Sequence, residues 1–72
     1  MDRHIQLLDV VALIEDITRT DLSRGQVGTV VDILDNGHAF EVEFSDTSGR
    51  VYDSLGLRPD QLMVLIYEPL FA

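Results

Sequence analysis

The stretch from Arg24 to Phe44 constrains the fold more than any other part of this chain. Two runs that read as strands, Arg24 to Leu34 and Ala39 to Phe44, flank Asp35-Asn36-Gly37-His38. An Asn-Gly pair in that position predicts a β-hairpin closed by a tight turn of the primed type, because such turns need positive φ, which Gly and Asn tolerate. In the second arm Phe40, Val42 and Phe44 alternate with Glu41, Glu43 and Ser45. That two-residue period marks a strand with one buried and one wet face, and makes the three apolar residues core. Gly25 and Gly28 stand at the entry to the first arm, where a strand that bends or bulges favours a residue without Cβ.

The remaining segments extend this pattern. Val10-Val11-Ala12-Leu13-Ile14 is a continuous, β-branched-rich run, as expected of a strand covered on both faces. Glu15 to Ser23 is mostly polar and reads as a long loop that tucks Ile17 and Leu22 beneath it. Asp46-Thr47-Ser48-Gly49 is a polar turn leading into a fourth strand over Arg50 to Leu57. Pro59 lacks a ladder donor and predicts a single 3-10 turn with proline in its first position. A fifth strand, Met63 to Tyr67, follows and is stopped by Pro69. Five short strands punctuated by turns predict an all-β fold, a partly open five-stranded barrel with one short 3-10 turn before the last strand. Residues 1–8 are expected to form an N-terminal arm, 9–68 the barrel and 69–72 a C-terminal tail carrying Leu70 and Phe71.

Size and charge limit what such a barrel does. The 72 residues make one domain with one small core. Cysteine is absent, which excludes disulfides, thiolate nucleophiles and thiolate metal sites and suits the cytoplasm. No apolar run approaches the roughly 18 residues of a membrane span, and none precedes Asp9 at signal-peptide length. Thirteen acidic residues against five basic ones leave a net charge of −8. Such a surface repels phosphate backbones, so nucleic acid is an unfavourable partner; the charge serves either solubility, its more ordinary role, or complementarity to a basic protein or imitation of nucleic acid. All five basic residues are arginines, scattered as Arg3, Arg19, Arg24, Arg50 and Arg58.

Several of these segments carry a family resemblance. Asp9-Val10-Val11-Ala12-Leu13, Arg24-Gly25-Gln26-Val27-Gly28-Thr29-Val30-Val31, Phe40-Glu41-Val42-Glu43-Phe44 and Leu57-Arg58-Pro59-Asp60-Gln61-Leu62 together resemble a small bacterial family of uncharacterised domains, over about residues 8 to 67. The Gly25 to Val31 segment is also similar to the glycine-centred motif of KOW-type modules and to other SH3-like barrels, including small chains of nitrile hydratase type. The first resemblance implies an SH3-like barrel with no established activity. It also implies a partner-binding role of the toxin and antitoxin kind, where members are encoded beside a second small protein. The second implies two alternatives, an RNA- or ribosome-associated module and a non-catalytic small subunit of a metalloenzyme.

The chemistry available is narrow. Ser23, Ser45, Ser48 and Ser54 with His4 or His38 form no nucleophile and base motif, so the chain is not expected to be an enzyme. Two histidines without cysteine, and acidic turns that lack the calcium-loop pattern, leave no metal and no cofactor expected. Glu41 and Glu43 share one strand face, either as acid and base or as a solvated face paired across the sheet with Arg24 or Arg50. Asp53 is expected to point toward the core or a groove, unless a bulge turns it out. Tyr52, Tyr67 and Phe71, with the Ile17 to Leu22 loop, are the residues from which an aromatic peptide-binding patch could be assembled; the alternative is that each tyrosine packs its ring on the barrel and turns its hydroxyl to water. The expected function is therefore a non-catalytic module that binds a basic partner protein, of antitoxin, immunity or regulatory type. Glu41, Glu43, Tyr52, Asp53, Tyr67 and Phe71 are its candidate contacts. Apolar residues on both faces of Val10 to Ile14 and Met63 to Tyr67 also predict a homodimer, unless the arm and tail cover the surplus.

Overall fold

A computed structural model describes residues 4–67. Five strands follow one another: β1 (Val10–Leu13), β2 (Val27–Leu34), β3 (Ala39–Ser45), β4 (Val51–Leu57) and β5 (Leu62–Val64). Two short 3-10 turns, Asp35–Gly37 and Pro59–Gln61, connect β2 to β3 and β4 to β5. All pairings are antiparallel, in the spatial order β4-β3-β2-β1-β5. The five strands and the turn before the last one match the sequence expectation. The closure that a barrel requires is not among the ladders: β4 and β5 are the two edges, and no pairing joins them among the described residues.

The core lies on one face of this sheet. Register sets Val11 of β1 opposite Gly28 of β2, Gly28 opposite Phe44 of β3, and Val11 opposite Val64 of β5, all on the same side. Val11, Leu13, Val30, Phe40, Val42, Phe44, Leu57 and Leu62 are buried there, together with Leu22 from the loop before β2. Ile17 packs against the cluster from the same loop. Thr20 organises that loop: its hydroxyl donates to Ile17 O at 2.8 Å and accepts from Leu22 N–H at 3.0 Å. The hydroxyl thus does locally what a ladder does elsewhere.

Gly28 has a packing reason. A Cβ at that position would stand 2.6 Å from Val42 Cγ1 and 2.7 Å from Glu43 O, so the inner side chains of β3 occupy the space that any other residue needs. Gly25, by contrast, has a φ of +95°, which L side chains rarely adopt, and open space around it. A register shift between Val30 and Asp32 bulges β2 at Val31.

Three local expectations are revised. The β2–β3 connection is not a two-residue turn: Leu34 pairs with Ala39, and Asp35, Asn36 and Gly37 all take positive φ, at 49°, 54° and 90°. The Asn-Gly pair keeps the positive φ foreseen for it, but Asp35 joins it, which lengthens the loop. The fifth strand is shorter than Met63 to Tyr67: it spans Leu62–Val64, and Leu65 adds one more ladder bond to Val10 O at 2.9 Å. The described part of the N-terminal arm is fastened to the sheet, with Leu8 N–H donating to Val30 O at 2.8 Å and Ile5 packed on the core. The C-terminal residues 69–72, Leu70 and Phe71 among them, lie outside the described residues.

Candidate functional site

The outer face of β2, β3 and β4, opposite the core, gathers carboxylates. Glu41 of β3 pairs with Asp32 of β2 on one side and with Gly56 of β4 on the other. Glu43 pairs with Thr29 and Ser54. The expected cross-strand partners Arg24 and Arg50 are therefore not opposite either glutamate. The register brings a like charge, two hydroxyl residues and a glycine instead, because Arg24 precedes β2 and Arg50 precedes β4, at the ends of those strands. Both glutamates are half-buried. Among the described residues the one ion pair of permanently charged side chains is Arg58 with Asp60 at 3.1 Å, and the His38 ring stands 3.8 Å from the Asp35 carboxylate. Neither involves this face. Glu41 has one close polar partner, the Ser54 hydroxyl, which donates to Oε2 at 2.6 Å.

Asp53 keeps the inward register expected of it, opposite Phe44, at the open edge of the sheet. There it is half-buried, and its Oδ1 accepts from the Ser54 N–H at 2.8 Å. A register shift between Phe44 and Ser45 leaves Tyr52 as the extra residue of β4. Its ring lies 6.5 Å from the Phe44 ring, centroid to centroid, and its hydroxyl accepts from Gln26 Nε2 at 2.9 Å. Tyr52 thus packs on the core edge while remaining half-exposed.

The aromatic patch foreseen for Tyr52, Tyr67 and Phe71 is not assembled by the described residues. Tyr67 follows β5, at the other edge of the sheet order, and is 76 % exposed; the one close ring pair is Tyr52 with Phe44. Phe71 lies outside the described residues. His38 is solvent-exposed, with its Nδ1 2.8 Å from Asp35 O. No group of three or more His, Cys, Asp or Glu side chains able to hold a metal ion occurs among the described residues. No helix among them is long and apolar enough to cross a membrane.

Two features escaped sequence reasoning. One is a groove of about 690 Å³ between the β2–β3 turn and the β5 edge, lined by Ile5, Ile33, Phe40, Leu62, Val64 and Ile66. It joins residues from three distant segments, and no local pattern announces that. The other is Gln61, buried at 9 % exposure in a turn whose Arg58 and Asp60 are exposed. Its Oε1 accepts from Arg58 N–H at 2.9 Å, and its Nε2 lies 3.4 Å from Glu15 Oε2. The Arg58-Pro59-Asp60-Gln61 spacing, with Gln as third residue of the turn, was the available signal.

On the outer face the apolar surplus is also arranged. Met63, Ala12 and Val27 form one cross-strand row, in which Met63 and Val27 are exposed. That row lies toward the end of the sheet away from Asp32 and Glu41.

Comparison with protein families finds a match over most of the chain. The family described as a domain of unknown function (DUF4926) matches residues 7–64, all five strands included. No curated protein and no solved structure matches the chain.

Proposed function

We propose that this chain, which belongs to the DUF4926 family of domains of unknown function, is a binding module that recognises a basic protein through the outer face of β2, β3 and β4. The observation that carries this reading is the line Asp32, Glu41 and Glu43, three carboxylates on adjacent strands without an ion pair among the described residues. Like charges directly opposite one another weaken a sheet. A fold that keeps them there gains when a cation arrives. The net charge of −8 adds long-range attraction for the same class of partner.

The reading is a non-catalytic one, and the antitoxin or immunity type, in which the module neutralises a basic enzyme, is its most specific form. An RNA-bound role is disfavoured by the same carboxylates, which would meet any phosphate approaching that face.

The test is affinity capture by the immobilised chain at low and high salt. Recovery of a basic protein at low salt, its loss at high salt, and its loss with the triple variant Asp32→Asn, Glu41→Gln, Glu43→Gln are the expected results. Retention of RNA in its place overturns the reading, and so does capture that the triple variant leaves intact.

A further inference from the structure

The open edge of β4 offers more than charge. Resting on the basic-partner reading, we infer that β4 accepts an added strand from that partner, with an arginine or lysine of the incoming strand lying across Gly56 onto Glu41.

Three observations converge on this edge. β4 ends the sheet order, so one side of its seven residues has no ladder among the described residues. It carries no lysine and no proline, and the two features that blunt an edge, the Tyr52 bulge and the inward carboxylate of Asp53, lie in its first half and leave Ser54 to Leu57 open. Val30 turns its N–H and C=O away from β3, to Asp9 and Leu8, so the register Val30–Val42–Leu55 makes Glu43–Ser54 and Glu41–Gly56 the unbonded pairs of the β3–β4 ladder; the Ser54 N–H is taken by its neighbour's carboxylate, Asp53 Oδ1. By the two-residue period, Ser54 and Gly56 thus both turn their backbone groups to the open side.

Gly56 itself has no structural need to be glycine. Its φ lies outside the region reserved for residues without Cβ, and an added Cβ would meet only ordinary contacts, Leu34 Cδ1 at 3.6 Å and Glu41 Oε1 at 3.9 Å. What its missing side chain does is leave a space bounded by one methyl group and one carboxylate oxygen. An arginine or lysine fits that pair of surroundings, since its aliphatic stem covers the methyl and its charged head reaches the carboxylate. Backbone pairing through Gly56 and the Ser54 carbonyl supplies affinity, and the cation over Gly56 supplies selection, as in other strand-addition complexes. A second copy of the chain is the wrong occupant. Antiparallel pairing of β4 with its own copy brings Glu41, Glu43 and Asp53 of two chains, each at −8, toward one another.

The test uses a capped nine-residue peptide of alternating arginine and valine, titrated into the full chain and followed by amide chemical shifts and hydrogen exchange. Slowed exchange at Gly56 is expected. About tenfold weaker binding is expected for a peptide of the same charge N-methylated on alternate residues, and for Gly56→Val, whose melting transition confirms that it folds. Equal binding of the methylated peptide, with shifts confined to Glu41 and Glu43, overturns the edge inference and leaves the basic-partner reading in place. Failure of both peptides to bind at low salt overturns both. Concentration-dependent protection of Gly56 without peptide assigns the edge to a second copy and overturns the inference.

Discussion

Gly28 faces Phe44 across the β2–β3 ladder at a distance that leaves no room for a methyl group: a Cβ at position 28 would stand 3.0 Å from Phe44 Cδ1 as well as 2.6 Å from Val42 Cγ1. Val42 and Phe44 are fully buried and Glu43 O belongs to the strand, so none of the three can move aside cheaply.

Gly28→Ala is therefore expected to destabilise the fold by roughly 1–3 kcal/mol, the usual cost of overpacking a closed core. In a domain of this size each kcal/mol lowers Tm by about 4–8 °C. Gly56→Ala, where the added carbon meets nothing closer than 3.6 Å, is expected to change stability by no more than about 1 kcal/mol and in the favourable direction. Thermal melts of the two variants side by side check the contrast. Equal melting temperatures would refute the packing account of Gly28.

Gln61 holds the turn before β5. Gln61→Ala removes the acceptor for the Arg58 N–H and is expected to cost about 1–2 kcal/mol in urea denaturation. Gln61→Glu keeps the acceptor but presents a second carboxylate to Glu15, so its deficit is expected to shrink as salt is added. A deficit independent of salt would exclude that charge repulsion.

Asp32 and Glu41 are paired like charges. Asp32→Asn preserves an oxygen to accept the Ile33 N–H, now at 2.8 Å, while removing the repulsion. A gain of roughly 0.2–1 kcal/mol at low ionic strength is the expected outcome. The gain narrows near physiological salt, where screening acts over about 8 Å. Denaturation curves at two salt concentrations measure it, and a loss of stability at low salt would contradict it.

Tyr52 separates packing from hydrogen bonding. Tyr52→Phe leaves the ring against Phe44 and loses only the bond from Gln26, so a change within about 1 kcal/mol is expected. Tyr52→Ala also strips the ring from the edge of the core and is expected to cost more, about 1–3 kcal/mol, the ring being only half-buried. Chemical denaturation of the pair decides which contact dominates.

The parts of this fold visible in the sequence are those written in short-range patterns. The alternation of Phe40, Val42 and Phe44 with Glu41 and Glu43 has one physical meaning, and the strand obeys it. Pro59 opens its 3-10 turn for the same local reason. Cross-strand neighbours are a different matter. Whether Glu41 faces Arg24, Arg50 or Asp32 depends on register, and a bulge at Val31 and another at the start of β4 shift that register. Neither bulge is marked by a glycine: Val31 and Tyr52 are good strand residues. The Gly56 gap was equally hidden, since a glycine in a strand is ambiguous until its neighbours are known.

The ladder between β1 and β5 has a consequence for how the chain reaches this structure. The other three ladders join strands that are consecutive in sequence, and each can form as a hairpin or loop of its own. The β1–β5 ladder joins the first strand to the last, and β5 has three residues, with one further bond from Leu65, to hold it. Loop closure costs most there and returns least. Folding is thus expected to run from the central meander outward, with β5 docking last. In the folded protein the same imbalance makes β5 the strand that opens first, and amide exchange there reports partial unfolding rather than global stability.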